Sequence, residues 1–238
     1  MPSAPKWLFD TVDMFLSKLP RVEVVDTVYL SKSIKKIRFQ GDFDNLSFPV
    51  GAFMDFRVSD TEARRYTVSY VDIENEILEF IVHLHGQGVG CMYMDNLKVG
   101  DIINLNKPRG ERNYYDKTKK KVVLFGDETS LGLACSFHRV LKKNGHQFQF
   151  YFEMDNENKD ICSLLGLQNC TIFPKDGNFR DQGWVSHLPI ITSAEWQDAY
   201  FVLTGNVNAA KTFKKVIKQQ TNGKVYLHGY WLEGKKGL

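Results

Sequence analysis

Apolar and polar residues alternate with a period of two through most of the first half of the chain. The runs 21–31 (RVEVVDTVYLS), 34–41 (IKKIRFQG), 51–59 (GAFMDFRVS), 64–72 (RRYTVSYVD), 76–86 (EILEFIVHLHG) and 101–108 (DIINLNKP) read as β-strands. One short helix, over about 91–97, follows the turn GQGVG at 86–90. Before the strands, Leu8, Val12, Phe15, Leu16 and Leu19 keep helical spacing as far as Pro20, which predicts an amphipathic helix with one face for docking. Six antiparallel strands with little helix between them predict a barrel, which closes to remove exposed edges.

The pattern changes after the polar stretch NYYDKTKK at 113–120, which reads as a hinge. Short apolar runs now alternate with helical periods: KVVLFG (121–126), a helix over about 129–143, FQFYFEM (148–154) and a helix near 157–165. CTIFPK (170–175), an unassigned stretch to 198, YFVLTG (200–205), a helix over about 207–220 and KVYLHGY (224–230) complete the series. Strands of this kind, separated by helices, predict a doubly wound parallel sheet that binds ligands at the carboxyl ends of its strands. The expected architecture is two domains, a six-stranded antiparallel β-barrel over 1–114 and a parallel α/β sheet over 115–238.

Composition narrows the classes. The 238 residues are 43% hydrophobic and 25% charged, ordinary globular values. A net charge of +3 is too small for a duplex-binding stripe, so no nucleic-acid partner is expected. Cys91, Cys135, Cys162 and Cys170 form neither a C-x-x-C pair nor a zinc spacing and read as reduced thiols. No apolar run approaches bilayer-spanning length, and the expectation is a cytoplasmic monomer with no membrane partner.

The candidate chemistry lies in RRYTVSY at 64–70. In a regular strand Arg64 and Tyr66 share one face, and Arg65 and Thr67 the other. Burying Arg64 would call for an anion to meet it, a tyrosine beside it offers a flat apolar wall, and the glycines of GQGVGC let backbone amides approach a pyrophosphate. The helix that follows would aim its positive end at the same place. A flat ring carrying a pyrophosphate fits these features together.

R-x-Y-T followed about twenty residues later by a glycine-rich turn into a short helix resembles the flavin-binding signature of the ferredoxin-reductase-like superfamily. HGQGVGC (85–91), FGDETSLG (125–132) and GYWLEGKKG (229–237) resemble the H-G-x-G-P-A-S, G-D-E-T-A-L-P and G-Y-W-R-x-G stretches of one branch, the siderophore-interacting proteins or ferric-siderophore reductases. The resemblance implies FAD as cofactor, a barrel that carries it, and a second domain for NADH or NADPH. It assigns Arg64 to the pyrophosphate, Tyr66 to the isoalloxazine and Thr67 to the reactive flavin nitrogen, Thr67 being the one candidate for tuning hydride transfer. His85, Gly88, Val89, Gly90 and Cys91 would form the phosphate and ribityl side of the pocket, with His83 grouped beside them. As a metal-chelating pair His83 and His85 lack a third ligand, and no metal site is expected.

By the same resemblance, Gly126, Asp127, Glu128 and Thr129 meet the nicotinamide nucleotide or line the flavin cleft, and Trp231 lies near the other flavin face. Lys107, Arg109, Lys235 and Lys236 are candidate cations for an anionic ferric siderophore. Glu153 and Asp155 would accept ribose hydroxyls and repel a 2′-phosphate, which favours NADH; a ferredoxin is the other donor the family admits. The chain departs from the family pattern at Ser69, where a second arginine is usual, at Val89, Gly90 and Cys91 in place of P-A-S, and at Leu232 in place of the arginine of G-Y-W-R. The expected activity is reduction of a ferric siderophore to release iron. A general flavin or ferredoxin-type reductase with another acceptor, and a non-catalytic siderophore carrier, are the alternatives.

Overall fold

The structure, a computed structural model, describes residues 4–15, 21–110 and 114–235. Two compact units meet between residues 113 and 114.

The first unit contains α1 (Lys6–Phe15), β1 (Arg21–Tyr29), β2 (Ile34–Gln40), β3 (Phe53–Arg57), β4 (Ala63–Asp72), β5 (Ile77–His83), α2 (Val89–Asn96) and β6 (Ile102–Asn104). The strands pair antiparallel in the order β3-β4-β5-β2-β1-β6. Past β6 the chain returns to β3, where the Phe53 N–H donates to the Arg109 carbonyl at 3.0 Å and the Arg109 N–H to the Phe53 carbonyl at 2.9 Å. That bridge joins the two edges of the barrel. The period-two pattern fills its interior: Ile37, Phe39, Phe56, Leu78, Phe80 and Val82 are buried. The rings of Phe39, Phe56 and Phe80 pack with centroids 5.1 to 6.0 Å apart, each contributing roughly 2–3 kcal/mol by burial.

Of the expected docking stripe on α1 only the Leu8 side chain is described, and it is 40% exposed. Among the described residues ion pairs fasten the helix, Asp10 to Arg57 at 2.9 Å and Lys6 to Asp60 at 3.2 Å. The Arg57 guanidinium also covers the Phe9 ring. The side chains of Val12 and Phe15, and all of Leu16, Leu19 and Pro20, lie outside the described residues.

The second unit contains β7 (Lys121–Gly126), α3 (Leu131–Lys143), β8 (Gln147–Met154), α4 (Ile161–Leu164), β9 (Cys170–Pro174), α5 (Gln182–Ser186), α6 (Pro189–Thr192), β10 (Tyr200–Leu203), α7 (Val207–Gln220) and β11 (Lys224–Leu227). The strands are all parallel, in the order β11-β10-β7-β8-β9. The winding reverses between β7 and β10, the point where such sheets open a ligand crevice. The three central strands carry apolar side chains on both faces, as a sheet covered on both sides requires. On one face, α7 brings Phe213 against Phe125 with ring centroids 4.2 Å apart.

Helix was expected over about 157–165; the chain forms a 3-10 turn at Asn156–Asn158 and the four-residue α4. The Leu167 N–H turns back to the Cys162 carbonyl at 2.8 Å, which ends the helix after one turn. The unassigned stretch before 198 consists of short helical pieces, α5 and α6 with 3-10 turns at Asn178–Arg180 and Ala194–Trp196. All four cysteines are free thiols. No helix among the described residues is long and apolar enough to cross a membrane.

Candidate functional site

Strand β4 is regular where the candidate residues lie, pairing Arg64 with Phe56, Arg65 with Asp55, Tyr66 with Met54 and Thr67 with Phe53; its bulge falls later, between Val68 and Tyr70. Alternation therefore puts Arg64 and Tyr66 on one face, and the start of α2 confirms it. A Cβ on Gly90 would stand 2.8 Å from Arg64 Cγ and 3.0 Å from the Tyr66 hydroxyl. Only a residue without a side chain lets the helix backbone come this close to both. The helix is preceded by Gly88, which makes no side-chain cap. The first amides of α2 thus have no side-chain acceptor and face an anion-favouring field.

Tyr66 is half-buried and stands edge-on to Phe56, centroids 5.4 Å apart. Burial raises its phenol well above the ordinary value, with Arg64 opposing, so the hydroxyl stays protonated. Arg64 already has an anion: its guanidinium donates to Glu62 Oε2 at 2.8 Å and to the Ala63 carbonyl at 2.9 Å. A diphosphate here would share or replace Glu62. Cys91 lies in the first turn of α2, its Sγ 3.9 Å from the His83 carbonyl, and the His83 and His85 rings are 5.5 Å apart. Burial works to raise the Cys91 thiol, but the bond with His85 and the field of Arg64 hold it below the usual value.

The other face of β4 carries a separate cluster. Arg65 and Arg109 both bind Asp55, at 3.2 and 2.5 Å, and both cover the Phe53 ring, at 4.5 and 4.9 Å from its centroid. Thr67 pairs with Phe53 on this side. Arg109, expected as a cation for substrate, closes the barrel and shares a carboxylate with Arg65; Lys107 is exposed nearby in sequence. Lys235, in the second unit, is exposed, and Lys236 lies outside the described residues.

In the second unit the conspicuous GDET and GYW stretches come together at the reversal point. Asp127 is buried and accepts from the Thr129 N–H at 2.9 Å, the Thr129 hydroxyl at 2.5 Å, the Asn206 N–H at 2.9 Å and the Trp231 indole N–H at 2.6 Å. Gly205, at φ +74°, is the close neighbour that makes room: a Cβ there would meet Asp127 Oδ2 at 2.5 Å. Glu128, fully buried, accepts from the Asp155 N–H at 2.7 Å and from Lys175 Nζ at 2.7 Å. Lys175 also reaches Asp155 at 3.2 Å, and Arg180 is paired with Glu233. Asp127, Glu128 and Thr129 thus lie at the reversal point with their side chains engaged by internal partners. Glu153 is buried at the end of β8, and burial pushes its carboxyl up to about 7, with Arg180 opposing.

Fold and site together define a class, a flavin-type barrel joined to a nucleotide-type parallel sheet. The family model described as "Oxidoreductase FAD-binding domain" matches residues 21–114, so this segment is similar to that domain, and the match supports FAD as the cofactor. The chain is 20% identical to the siderophore-interacting protein from Acinetobacter baumannii, with a TM-score of 0.71 over 91% of this chain and 92% of that one. Phthalate dioxygenase reductase matches with a TM-score of 0.73 at 17% identity, over 98% of this chain and 72% of that one. In sequence, NADH-cytochrome b5 reductase 1 of Dictyostelium discoideum is 26% identical over 104 residues, 42% of this chain and 36% of that protein's length.

Two residues escaped the sequence reading. Glu62 sits two positions before Arg64, in phase with it, and a carboxylate there was legible as its partner. Lys35 falls in phase with Ile37 and Phe39, the core face of β2, and is 1% exposed; a lysine at a core position was the signal.

Proposed function

We propose that the chain is an FAD-dependent reductase that takes electrons from a pyridine nucleotide, NADH before NADPH, and delivers them to a ferric siderophore. The carrying observation is the Gly90 cradle, where an uncapped helix start touches the Arg64 stem and the Tyr66 hydroxyl inside a segment matched as an FAD-binding domain. When bound, FAD accepts a hydride as an electron pair and can pass electrons on singly, as Fe(III) requires. Arg64 and the α2 amides hold the diphosphate, Arg64 exchanging part of its contact with Glu62. Tyr66 supplies the flat wall and a protonated hydroxyl. Thr67 is the residue proposed to hydrogen-bond the reactive flavin nitrogen, and Trp231 is fixed by Asp127 to line the crevice.

NADH is favoured because Lys175 and Arg180, the described cations near the ends of β8 and β9, are held by carboxylates and leave the buried Glu153 beside any 2′-phosphate. The siderophore as acceptor rests on the HGQGVGC, GDET and GYW stretches and is consistent with the near full-length likeness to a siderophore-interacting protein. Reduction to Fe(II) weakens hard-oxygen chelation and releases the metal without an acid or base from the protein. A monomer working in the cytoplasm goes with this reading. The second reading, a reductase for another acceptor such as a cytochrome, is favoured by the sequence match to NADH-cytochrome b5 reductase 1.

The test is anaerobic mixing of the FAD-loaded protein with NADH, then with a ferric siderophore and a ferrous trap. The flavin band should bleach with NADH and recover as the trap develops colour. Bleaching without ferrous product, together with cytochrome reduction, would favour the second reading. A protein that stays colourless in excess FAD yet binds the chelate would be a carrier.

A further inference from the structure

Lys35 is a buried cation with no carboxylate on its ammonium among the described residues. Its Nζ instead donates to three backbone carbonyls at the carboxyl end of α2: Met94 at 3.1 Å, Asp95 at 2.7 Å and Leu97 at 2.7 Å. These include acceptors that the helix itself leaves without partners, and a cation at this end complements the helix dipole. The Lys35 ammonium lies 5.3 Å from the Tyr29 ring centroid, and the Tyr29 hydroxyl bonds Asp95 at 2.5 Å. Two neighbouring strands, β1 and β2, thus grip one end of α2. The other end carries Gly90 against Arg64 and Tyr66. Burial draws the ammonium below the usual lysine value, against the pull of Asp95 and Asp101. Burying a charge this completely is costly, and three carbonyls at bonding distance offset that cost only if α2 keeps its present seat.

We infer that Lys35 is a positioning residue for the cofactor: by clamping the carboxyl end of α2 to the barrel wall it sets where the uncapped amino end meets the FAD diphosphate. The inference rests on the FAD reading above. A helix of eight residues moves as a rigid rod about 12 Å long, so a loosened far end changes the approach of Gly90 to Arg64. Tyr29 is the second jaw of the same clamp.

The test is a double-mutant cycle on FAD affinity, read by quenching of flavin fluorescence, with thermal melts of each protein. Lys35→Met should weaken FAD roughly tenfold, and Gly90→Ala also roughly tenfold by overpacking. If both act on the same helix end, the double variant will fall clearly short of the hundredfold product. Lys35→Arg, which keeps the charge and the donors, should recover most of the loss. A Lys35→Met protein whose FAD dissociation constant stays within about twofold of wild type, or a cycle in which the two effects multiply fully, overturns the inference. Should Lys35→Met fail to fold, Tyr29→Phe takes its place, with a loss of about threefold and the same shortfall expected; no FAD-specific loss there overturns it equally. A folded wild-type protein that takes up no FAD would overturn the cofactor reading itself, a different result from tight FAD binding that is indifferent to Lys35.

Discussion

Each half of the molecule sets a helical turn at the end of a strand, and the two turns satisfy their amides in opposite ways. In the barrel, α2 starts at Gly88 without a side-chain cap, and its glycine backbone presses on Arg64 and Tyr66. In the sheet, the turn after β7 is capped by Asp127, which also takes the Asn206 N–H and the Trp231 indole. The first turn leaves room for an anion from outside; the second has its anion built in. The two most conspicuous motifs in the chain therefore do different work, R-x-Y-T and GQGVG forming the proposed ligand contact and GDET with GYW an internally bonded turn at the reversal point. A carboxylate already engaged by four internal donors has little capacity left for a ligand.

The sharpest way to break this contrast is Arg64→Ala. FAD affinity should fall about a hundredfold, the loss expected when a charge-assisted contact to phosphate is removed. The apoprotein should melt almost as before, because the Arg64–Glu62 pair is partly exposed, with side chains 28% and 27% accessible, and such pairs contribute only about 0–1 kcal/mol. Fluorescence titration with FAD and calorimetry without it separate the two effects. Unchanged flavin occupancy would remove the diphosphate assignment.

Asp127→Ala should do the reverse. It leaves a buried donor at Asn206 and a half-buried one at Trp231 without acceptors and uncaps the turn after β7. A loss of about 3 kcal/mol in unfolding free energy is expected. FAD affinity should stay near the wild-type value, since these bonds all lie in the second unit. Equilibrium denaturation read by tryptophan fluorescence measures the first, and flavin titration the second. A variant as stable as wild type that has lost nucleotide binding would instead make Asp127 a ligand contact.

How much of this was legible in the sequence follows from how far apart the partners lie. Strand alternation placed Arg64 with Tyr66, and Glu62, two residues away, was within reach of the same argument. Lys35 was visible as a charge in phase with Ile37 and Phe39, but its acceptors lie some sixty residues on, at 94, 95 and 97. The role of Asp127 depends on Asn206 and Trp231, 79 and 104 residues away, which only the reversal of strand order brings together. The helix expected over about 157–165 proves to be the single-turn α4 for a related reason. Its helical period is carried by Ile161 and Cys162, which pack inward, while Leu164 is 60% exposed and adds nothing to hold a second turn.

The last predicted effect, absent at low pH, sharpens the contrast through pH. Glu153 is 4% exposed, and burial raises its carboxyl from 4.5 to about 7. Between those values the folded protein keeps a proton that the unfolded chain has released, so folding stability falls as pH rises across the window and levels off above it. Glu153→Gln removes the titration and keeps the shape. Relative to wild type, the variant should therefore gain stability progressively as the pH passes through that window, reaching about 3 kcal/mol near neutrality and above. Urea unfolding at several pH values reads the difference directly. A difference that does not change with pH would mean that burial does not raise the Glu153 carboxyl in the folded state, and that its charge is met there as the field of Arg180 favours.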